Sequence, residues 1–166
     1  MNHKEHLPIY GVGPFYGLTV IGITVVLIIL NTMGYMQAGH SMELIVRIVL
    51  RILGCALILL GIYLWCAAVM GKDGIDHCVV ENRLRTTGVY GIVRNPCYSS
   101  VMFICSGVLC LLANWYVLLA PLFYWLFMTV LMKFTEEKWL VKQYGQEYKT
   151  YCQQVNRCIP RFLKHH

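Results

Sequence analysis

The feature that most limits the possible folds is a series of apolar stretches, each about as long as a bilayer is thick. Residues 11–30 carry no charged side chain and are rich in Val, Ile and Leu, and a helix needs roughly 20 such residues to cross the hydrocarbon core. Similar stretches follow at residues 52–70, 97–113 and 115–132. Only 13% of the residues are charged and 58% are hydrophobic, whereas about a quarter of a soluble domain is charged. The sequence therefore predicts an all-α, polytopic integral membrane protein with about four transmembrane helices, two of them within residues 1–70.

The second predicted helix has a start signal and two arginines. Ser41 is a suitable N-cap, and Glu43 and Arg47 stand at the spacing at which opposite charges pair on a helix face. Arg47 and Arg51 repeat on one face just before the apolar part. Such a pair either anchors the helix at the lipid headgroups or forms an inward-facing polar site, and we favour the anchor.

The chain after the third stretch is predicted to form one long helix and one short helix. Asn114 is a minimal turn, and Pro121 should kink the helix that follows. The helical pattern continues to Leu140 without a break, so this helix should emerge from the membrane before Gly145 ends it. The short helix, residues 146–155, would turn an apolar face to the membrane or the core, formed by Tyr148, Tyr151 and Val155. We expect a single membrane domain, 1–166, with a cytoplasmic C-terminal helical extension.

Charge placement predicts the orientation in the membrane. The net charge is +6, but most Lys and Arg residues flank apolar stretches, which favours headgroup contact and excludes a nucleic-acid partner. Residues 72–94 and 133–164 are basic, whereas the loops 31–40 and 113–114 contain no Lys or Arg. By the positive-inside rule both termini are cytoplasmic, and we expect a multi-pass protein of a bacterial inner membrane. The first stretch lacks a signal-peptide cleavage site and should remain a spanning helix.

Eight cysteines are distributed along the chain. They form no CxxC pair and no His/Cys spacing suited to zinc, and several lie inside apolar stretches. We interpret them as small apolar residues and predict neither a disulfide framework nor a bound metal.

A polar, turn-forming segment, residues 86–100, separates the second and third apolar stretches. In its sequence, TTGVYGIVRNPCYSS, Arg94-Asn95-Pro96 places a fixed cation and an amide just before a proline that can start a helix. Unpaired N–H groups at a helix N-terminus favour a carboxylate or phosphate, and a guanidinium offers it a planar, bidentate partner. The segment is either the reactive end of a small membrane enzyme or an ordinary helix start whose arginine anchors at the headgroups.

Two adjacent carboxylates, Glu136 and Glu137, stand where the fourth helix should leave the bilayer. Adjacent helical residues point about 100 degrees apart, so at most one should face inward while the other meets water or a lysine such as Lys133. The inward carboxylate could accept hydrogen bonds from ribose hydroxyls, pair with a cation or act as a base. The alternative is a solvated helix exit with Glu/Lys pairs.

These two segments occur in a familiar order. TTGVYGIVRNPCYSS, a short hairpin and then EEKWLVKQYGQEYKTYCQQVNRCIPRF follow the pattern Thr-x-Gly-x-Tyr, Arg-His-Pro-x-Tyr, hairpin, Glu-Glu, Phe-Gly-x-x-Tyr-x-x-Tyr and Val-Pro-Arg-x-Ile-Pro. Residues 82–162 thus resemble the C-terminal half of the isoprenylcysteine carboxyl methyltransferase family and its bacterial relatives, which shade into the phospholipid methyltransferases.

The resemblance implies a membrane enzyme that binds S-adenosyl-L-methionine in a cytoplasm-facing pocket and takes a lipophilic or prenylated substrate sideways from the bilayer. It implies catalytic roles for Arg94 and Glu137 and a structural role for the tail, which comprises Tyr144, Gly145, Tyr148, Tyr151, Arg157 and Pro160. The implied cofactor-binding residues are Gly88, Tyr90, Arg94, Asn95, Pro96, Tyr98, Glu136 and Glu137. In such a pocket Arg94 would meet a carboxylate of the cofactor or acceptor, and a glutamate would meet the cofactor's ammonium or ribose.

The sequence departs from the family pattern at several positions. Asn95 replaces the histidine before the proline, Ser100 replaces a glycine, and Asn156 replaces the first proline of the tail, while Asn82 is nearest to an upstream histidine of eukaryotic members. Asn95 can still form hydrogen bonds, but it cannot carry a proton near neutral pH. A mechanism that needs this histidine as a base is therefore in doubt.

Two other classes of protein compete with the methyltransferase. An NADPH-dependent reductase of the sterol type also places Arg or Asn, Pro or His, and Tyr at the start of a late helix, but the Glu pair and the Arg157-Cys158-Ile159-Pro160 tail favour the methyltransferase. A non-enzymatic four-helix membrane protein or transporter subunit predicts polar residues at mid-bilayer depth, whereas the polar groups here cluster at one interface.

Overall fold

The computed structural model describes residues 11–70 and 84–160, which are helical apart from turns and one isolated bridge. Three short 3-10 turns lie between the helices, at Gln37–His40, Gly88–Gly91 and Val117–Leu119. The helices of the described part are α1 (Gly13–Thr32), α2 (Leu44–Val69), α3 (Pro96–Leu112), α4 (Ala120–Phe134), α5 (Glu136–Tyr144) and α6 (Gln146–Gln154).

Within the described residues, three segments are long and apolar enough to cross a membrane. They are Gly13–Thr32, Leu44–Val69 and Val117–Tyr144, with mean hydropathies of 2.2, 2.5 and 1.8. Large apolar side chains such as Leu18, Ile45 and Leu59 point outward on α1 and α2, as expected for lipid contact. The predicted all-α, polytopic membrane fold is confirmed. Helix α3, the predicted third span, is apolar but only 17 residues long, and its crossing of the bilayer stays a prediction.

The start of α2 differs from the expectation. Ser41 is not the N-cap, because the 3-10 turn Gln37–His40 runs up to it and the extended backbone of Glu43 makes that residue the N-cap, two residues later. The Arg47 Nε donates to the Met42 carbonyl at 3.1 Å, and Arg51 is exposed. Arg51 therefore does not form an inward-facing site, and Arg47 satisfies a carbonyl at the helix entrance.

The fourth predicted span also needs two corrections. Pro121 lies in the first turn of α4, where a missing N–H costs nothing, so it does not kink a helix interior. The helix does not continue unbroken to Leu140, because Thr135 departs from helical geometry at φ −119° and ψ −89° and its hydroxyl bonds back to the Leu131 carbonyl. The predicted break at Gly145 is confirmed, with φ at +56°.

Helices α2 and α3 pack closely and antiparallel through glycines. Gly54 lies opposite Gly107, and a Cβ on either residue would come within 2.7 Å of the other's carbonyl oxygen. Further along, a Cβ on Gly61 would lie 2.8 Å from the Ser100 carbonyl oxygen. This crossing fixes α3, whose first turn follows the Arg94-Asn95 segment, against the long membrane helix α2.

Asn114 is more than a turn residue, because it is fully buried and joins its own turn to the end of α1 and to the loop after α1, at the end of the bundle opposite the start of α3. Its amide nitrogen donates to the Asn31 Oδ1 at 2.8 Å and to the Met36 carbonyl at 2.9 Å, and its oxygen accepts from the Tyr116 N–H at 3.0 Å. Gly39 is packed so tightly against it that a Cβ would lie 1.9 Å from the Asn114 oxygen.

Replacing Asn114 by alanine should destabilise the protein by about 2 kcal/mol, because it leaves the Met36 carbonyl and the Tyr116 N–H without their hydrogen bonds to the Asn114 side chain. Thermal unfolding of the detergent-purified variant, followed by tryptophan fluorescence, would show a lowered midpoint. Asn31→Ala is the matched control, since it removes one partner of the Asn114 amide and should cost less. Equal midpoints for Asn114→Ala and the unmodified protein would contradict the assignment.

Candidate active site

Five segments meet at one end of the bundle. They are the start of α1, the segment 84–95 with its 3-10 turn, the first turn of α3, the junction of α4 and α5, and the tail after α6. Pro96 is buried at the first position of α3, which its fixed φ favours. Most of the site residues predicted from the sequence lie in these segments.

A carboxylate held between two guanidinium groups forms the centre of the site. The Glu137 Oε1 and Oε2 accept from the Arg157 Nε and Nη2 at 2.6 and 2.8 Å, which is a bidentate pair. On the other side, the Arg94 Nη1 lies 3.3 Å from the Glu137 Oε1. The exposed fractions of the side chains are 8% for Arg94, 15% for Glu137 and 24% for Arg157. The hydrogen bond to Glu137 raises the pKa of the Arg157 guanidinium above its ordinary value. We call these three residues the Arg–Glu–Arg cluster.

Arg94 keeps part of its binding capacity. Its Nη1 also contacts the Cys152 Sγ, but its Nε is buried and has no hydrogen-bond partner among the described residues. Because an unpaired buried donor is costly, this nitrogen is available for an anionic group that enters the site. The cluster carries a net positive charge, which favours the same kind of ligand.

Glu136 has a different environment. Its Oε1 accepts from the Val12 N–H at 2.9 Å and from the Tyr98 hydroxyl. Gly11 approaches so closely that a Cβ there would lie 2.1 Å from the same oxygen. Glu136 thus places a negative charge at the N-terminus of α1, where the helix dipole favours it. The expectation that only one glutamate would face the protein is wrong, because α1 and the tail approach the α4–α5 junction from different sides.

The tail after α6 is held against the start of α3 by backbone and side-chain contacts. Val93 and Asn156 form a parallel bridge, and the Arg94 N–H donates to the Asn156 carbonyl at 2.9 Å. The Asn95 amide donates to the Arg157 carbonyl at 3.2 Å, and the Ser99 hydroxyl donates to the Cys158 carbonyl at 2.7 Å. Asn95, in the place of the family's histidine, therefore helps to position Arg157. Asn82 lies outside the described residues.

The turn before Arg94 is tied to the C-terminal helices. Gly88 has a left-handed φ of +62° and is exposed. The Tyr151 hydroxyl donates to the Tyr90 carbonyl at 2.6 Å, and burial raises the pKa of Tyr151, so the hydroxyl stays protonated. The Arg85 guanidinium lies 4.4 Å from the centre of the Tyr90 ring. The predicted apolar face of Tyr148, Tyr151 and Val155 packs on the protein, in a cluster with Leu84 and Leu140.

The structure thus brings together Arg94 with Glu137, and Tyr98 with Glu136. Sequence reasoning assigned Arg157 to a structural tail and did not single out Arg85 or Cys152. The Arg157-Cys158-Ile159-Pro160 motif marked that segment, but only the tertiary fold places Arg157 on Glu137. No residue pattern pointed to Arg85.

An open cleft borders the cluster at the α4–α5 junction. It has a volume of about 310 Å³ and is lined by Lys133, Glu137, Lys138 and Val141. The cleft gives Glu137 a path to molecules outside the bundle. Within the described ranges, no group of three or more His, Cys, Asp or Glu side chains is arranged to hold a metal ion.

Comparisons with known proteins bear on the family to which the chain belongs. Residues 49–147 match the model of the phospholipid methyltransferase family, a range that includes Arg94, Glu136 and Glu137. The chain is also 32% identical over 126 residues to the protein-S-isoprenylcysteine O-methyltransferase of Saccharomyces cerevisiae, which covers 66% of this chain and 48% of that protein. The chain thus spans about half the length of this curated relative, and no solved structure matches it significantly. Since the family model covers more than half of the chain and includes the clustered glutamate and arginine, the protein belongs to the phospholipid methyltransferase family.

Proposed function

We propose that this protein is an integral membrane methyltransferase that uses S-adenosyl-L-methionine to methylate a lipophilic acceptor. Membership of a methyltransferase family and the apolar helices support the reaction type and the membrane setting. The name of the yeast relative supports an isoprenylcysteine carboxylate as one acceptor, and the family name supports a lipid. The half of the chain that binds the cofactor would be residues 82–162.

The observation that carries the proposal is the Arg94 guanidinium, whose Nη1 lies 3.3 Å from the Glu137 Oε1 while its Nε has no hydrogen-bond partner among the described residues. The amino-acid part of the cofactor has a carboxylate and an ammonium group, which need a cation and an anion side by side. Arg94 would bind the carboxylate, and Glu137 would bind the ammonium or a ribose hydroxyl. Arg157 would hold Glu137 in place through its bidentate pair. Further cofactor contacts are proposed at Gly88, Tyr90, Asn95, Pro96, Tyr98 and Glu136.

The residues of the chain mainly have to orient the reactants. The sulfonium of the cofactor supplies a methyl group that is already activated for transfer. The protein then needs to align the acceptor with that methyl and keep water out. The Asn95 amide cannot accept a proton, and it is engaged with the Arg157 carbonyl. A carboxylate acceptor, which has no proton to lose, therefore fits these residues better than an amine.

We further propose that the site opens to the cytoplasm. Basic residues such as Lys133, Lys138, Lys142 and Arg157 gather at this end of the described bundle, and the loop around Asn114 at the other end contains no Lys or Arg. The positive-inside rule then makes both termini cytoplasmic, as in a bacterial inner-membrane protein. An acceptor with an apolar tail would enter from the bilayer.

The test is calorimetric titration of the detergent-purified protein with S-adenosylhomocysteine. We expect a dissociation constant on the order of micromolar, weakened roughly 10- to 100-fold in Arg94→Ala because a charge-assisted hydrogen bond is lost. Arg47→Ala is the matched control, since Arg47 lies at the other end of the bundle and should leave binding unchanged. NADPH is titrated in parallel.

Each outcome has a distinct meaning. Binding of NADPH alone would assign the protein to the reductases, and binding of neither ligand would refute a cofactor-dependent enzyme. With binding established, transfer of a labelled methyl group to a farnesylated cysteine derivative or to phosphatidylethanolamine identifies the acceptor class.

A further inference from the structure

The junction of α4 and α5 carries lysines and aromatic residues that the proposed methyl transfer does not use. Lys133 is exposed in the last turn of α4, and Lys138 is exposed in α5. Both line the 310 Å³ cleft together with Glu137 and Val141. That volume is at the lower end of the range for small-molecule sites, about 300–1,000 Å³.

The charge of this cleft is not neutralised by its own glutamate. Glu137 is paired with Arg94 and Arg157 at 3.3 and 2.6 Å. Lys133 and Lys138 form no ion pair with any residue in the ranges 11–70 and 84–160. Two ammonium groups therefore remain for an anion from outside the protein.

Each of the two lysines is followed in the sequence by an exposed aromatic residue. Phe134 and Trp139 are 60% and 38% exposed, and α5 buries none of its residues. The Lys138 Nζ lies 5.2 Å from the centre of the Phe134 ring. The junction belongs to the apolar segment Val117–Tyr144, which is long enough to cross a membrane. Aromatic rings beside lysines, just after the apolar part of such a segment, are typical of the headgroup region.

We propose that this cleft binds the headgroup phosphate of an anionic membrane phospholipid. Lys133 and Lys138 contact the phosphate, and Phe134 and Trp139 lie against the glycerol and the upper part of the acyl chains. A soluble anion would use the lysines but gain nothing from the two exposed rings. The proposal does not depend on the proposed methyl transfer, because it concerns the two lysines of the cleft and the exposed rings that follow them in the sequence.

The experiment measures lipid quenching of Trp139. The protein in a neutral detergent is titrated with brominated phosphatidylglycerol or brominated phosphatidylcholine, and the Trp139 signal is the difference between wild type and Trp139→Phe. We expect the anionic lipid to quench at a mole fraction at least tenfold lower than the zwitterionic lipid. Lys133→Gln/Lys138→Gln should lose this preference, and Lys133→Arg/Lys138→Arg should keep it. Lys149→Gln, which removes an exposed lysine of α6 outside the cleft, should also keep it.

Several results would overturn the proposal. One is equal quenching by the two lipids in the wild type, a comparison that does not need any lysine variant to fold. A second is an unchanged preference in the folded glutamine double variant, and a third is an equal loss in Lys149→Gln. Displacement of the lipid by inorganic phosphate at constant ionic strength would assign the cleft to a soluble anion. Loss of S-adenosylhomocysteine binding in the double variant would assign it to the cofactor.

Discussion

Replacing Glu137 by alanine is expected to destabilise the protein by about 3–5 kcal/mol and to abolish S-adenosylhomocysteine binding. The substitution removes the carboxylate that neutralises Arg94 and Arg157. Arg94 is only 8% exposed, so its charge would stay largely out of water without a partner, and breaking a buried ion pair from one side has a cost of this size. The site would also lose the anion that we assign to the ammonium or ribose of the cofactor.

Glu137→Gln and Glu136→Gln form the matched pair for this prediction. Glutamine at 137 keeps the shape but not the charge, so we expect most of the destabilisation and at least a 100-fold loss of affinity. Glutamine at 136 can still accept from the Val12 N–H and the Tyr98 hydroxyl, since both donors are neutral, and should cost less than about 1 kcal/mol. Thermal unfolding and calorimetric titration measure the two effects. A larger effect at 136 than at 137 would reverse the roles assigned to the two residues.

The different roles of these neighbours show what sequence reasoning could reach. The spacing of Glu136 and Glu137 correctly indicates that they point in different directions. It cannot indicate that the N–H of Val12, at the start of α1, donates to Glu136. Nor can it indicate that Arg157, twenty residues further along the chain, pairs with Glu137. Both contacts join segments far apart in the chain, so they depend on the tertiary fold.

The helices themselves were more predictable than their ends. The apolar stretches predict the membrane helices, because the thickness of the bilayer sets the length and composition that such a helix needs. Thr135, however, interrupts a segment whose helical pattern continues in the sequence to Leu140. Its hydroxyl bonds to the Leu131 carbonyl, four residues earlier, and such a bond also occurs inside regular helices, so the residue type alone does not indicate the break. The sequence predicts a turn at Asn114 because this residue stands alone between two apolar stretches. It does not indicate the hydrogen bonds of Asn114 to Asn31 and Met36, which are distant in the chain.

The closest helix crossing leads to the second large prediction. Gly107→Leu should prevent α2 and α3 from packing, at a cost of about 3 kcal/mol or more. A Cβ at this position would lie 2.6 Å from the Gly54 carbonyl oxygen and 2.7 Å from the Ile58 side chain. The Gly54 oxygen belongs to a helix backbone and cannot turn away as a side chain would. Helix α3 would have to move, and with it the Arg94-Asn95 segment that precedes its first turn.

Gly22→Leu is the control for this substitution, because a Cβ on Gly22 meets no atom within 4 Å and the residue lies in the equally apolar helix α1. It should leave the unfolding temperature unchanged or slightly raised, since glycine is a poor helix former. Size-exclusion profiles and thermal unfolding in detergent compare the two variants, and titration with S-adenosylhomocysteine reports on the site. Gly107→Leu should broaden the size-exclusion peak and lower both the unfolding temperature and the affinity for S-adenosylhomocysteine. These effects should occur together, because α3 carries the glycine crossing along its length and the start of the site at its N-terminus. A Gly107→Leu protein as stable as Gly22→Leu would mean that α2 and α3 do not approach at this glycine pair.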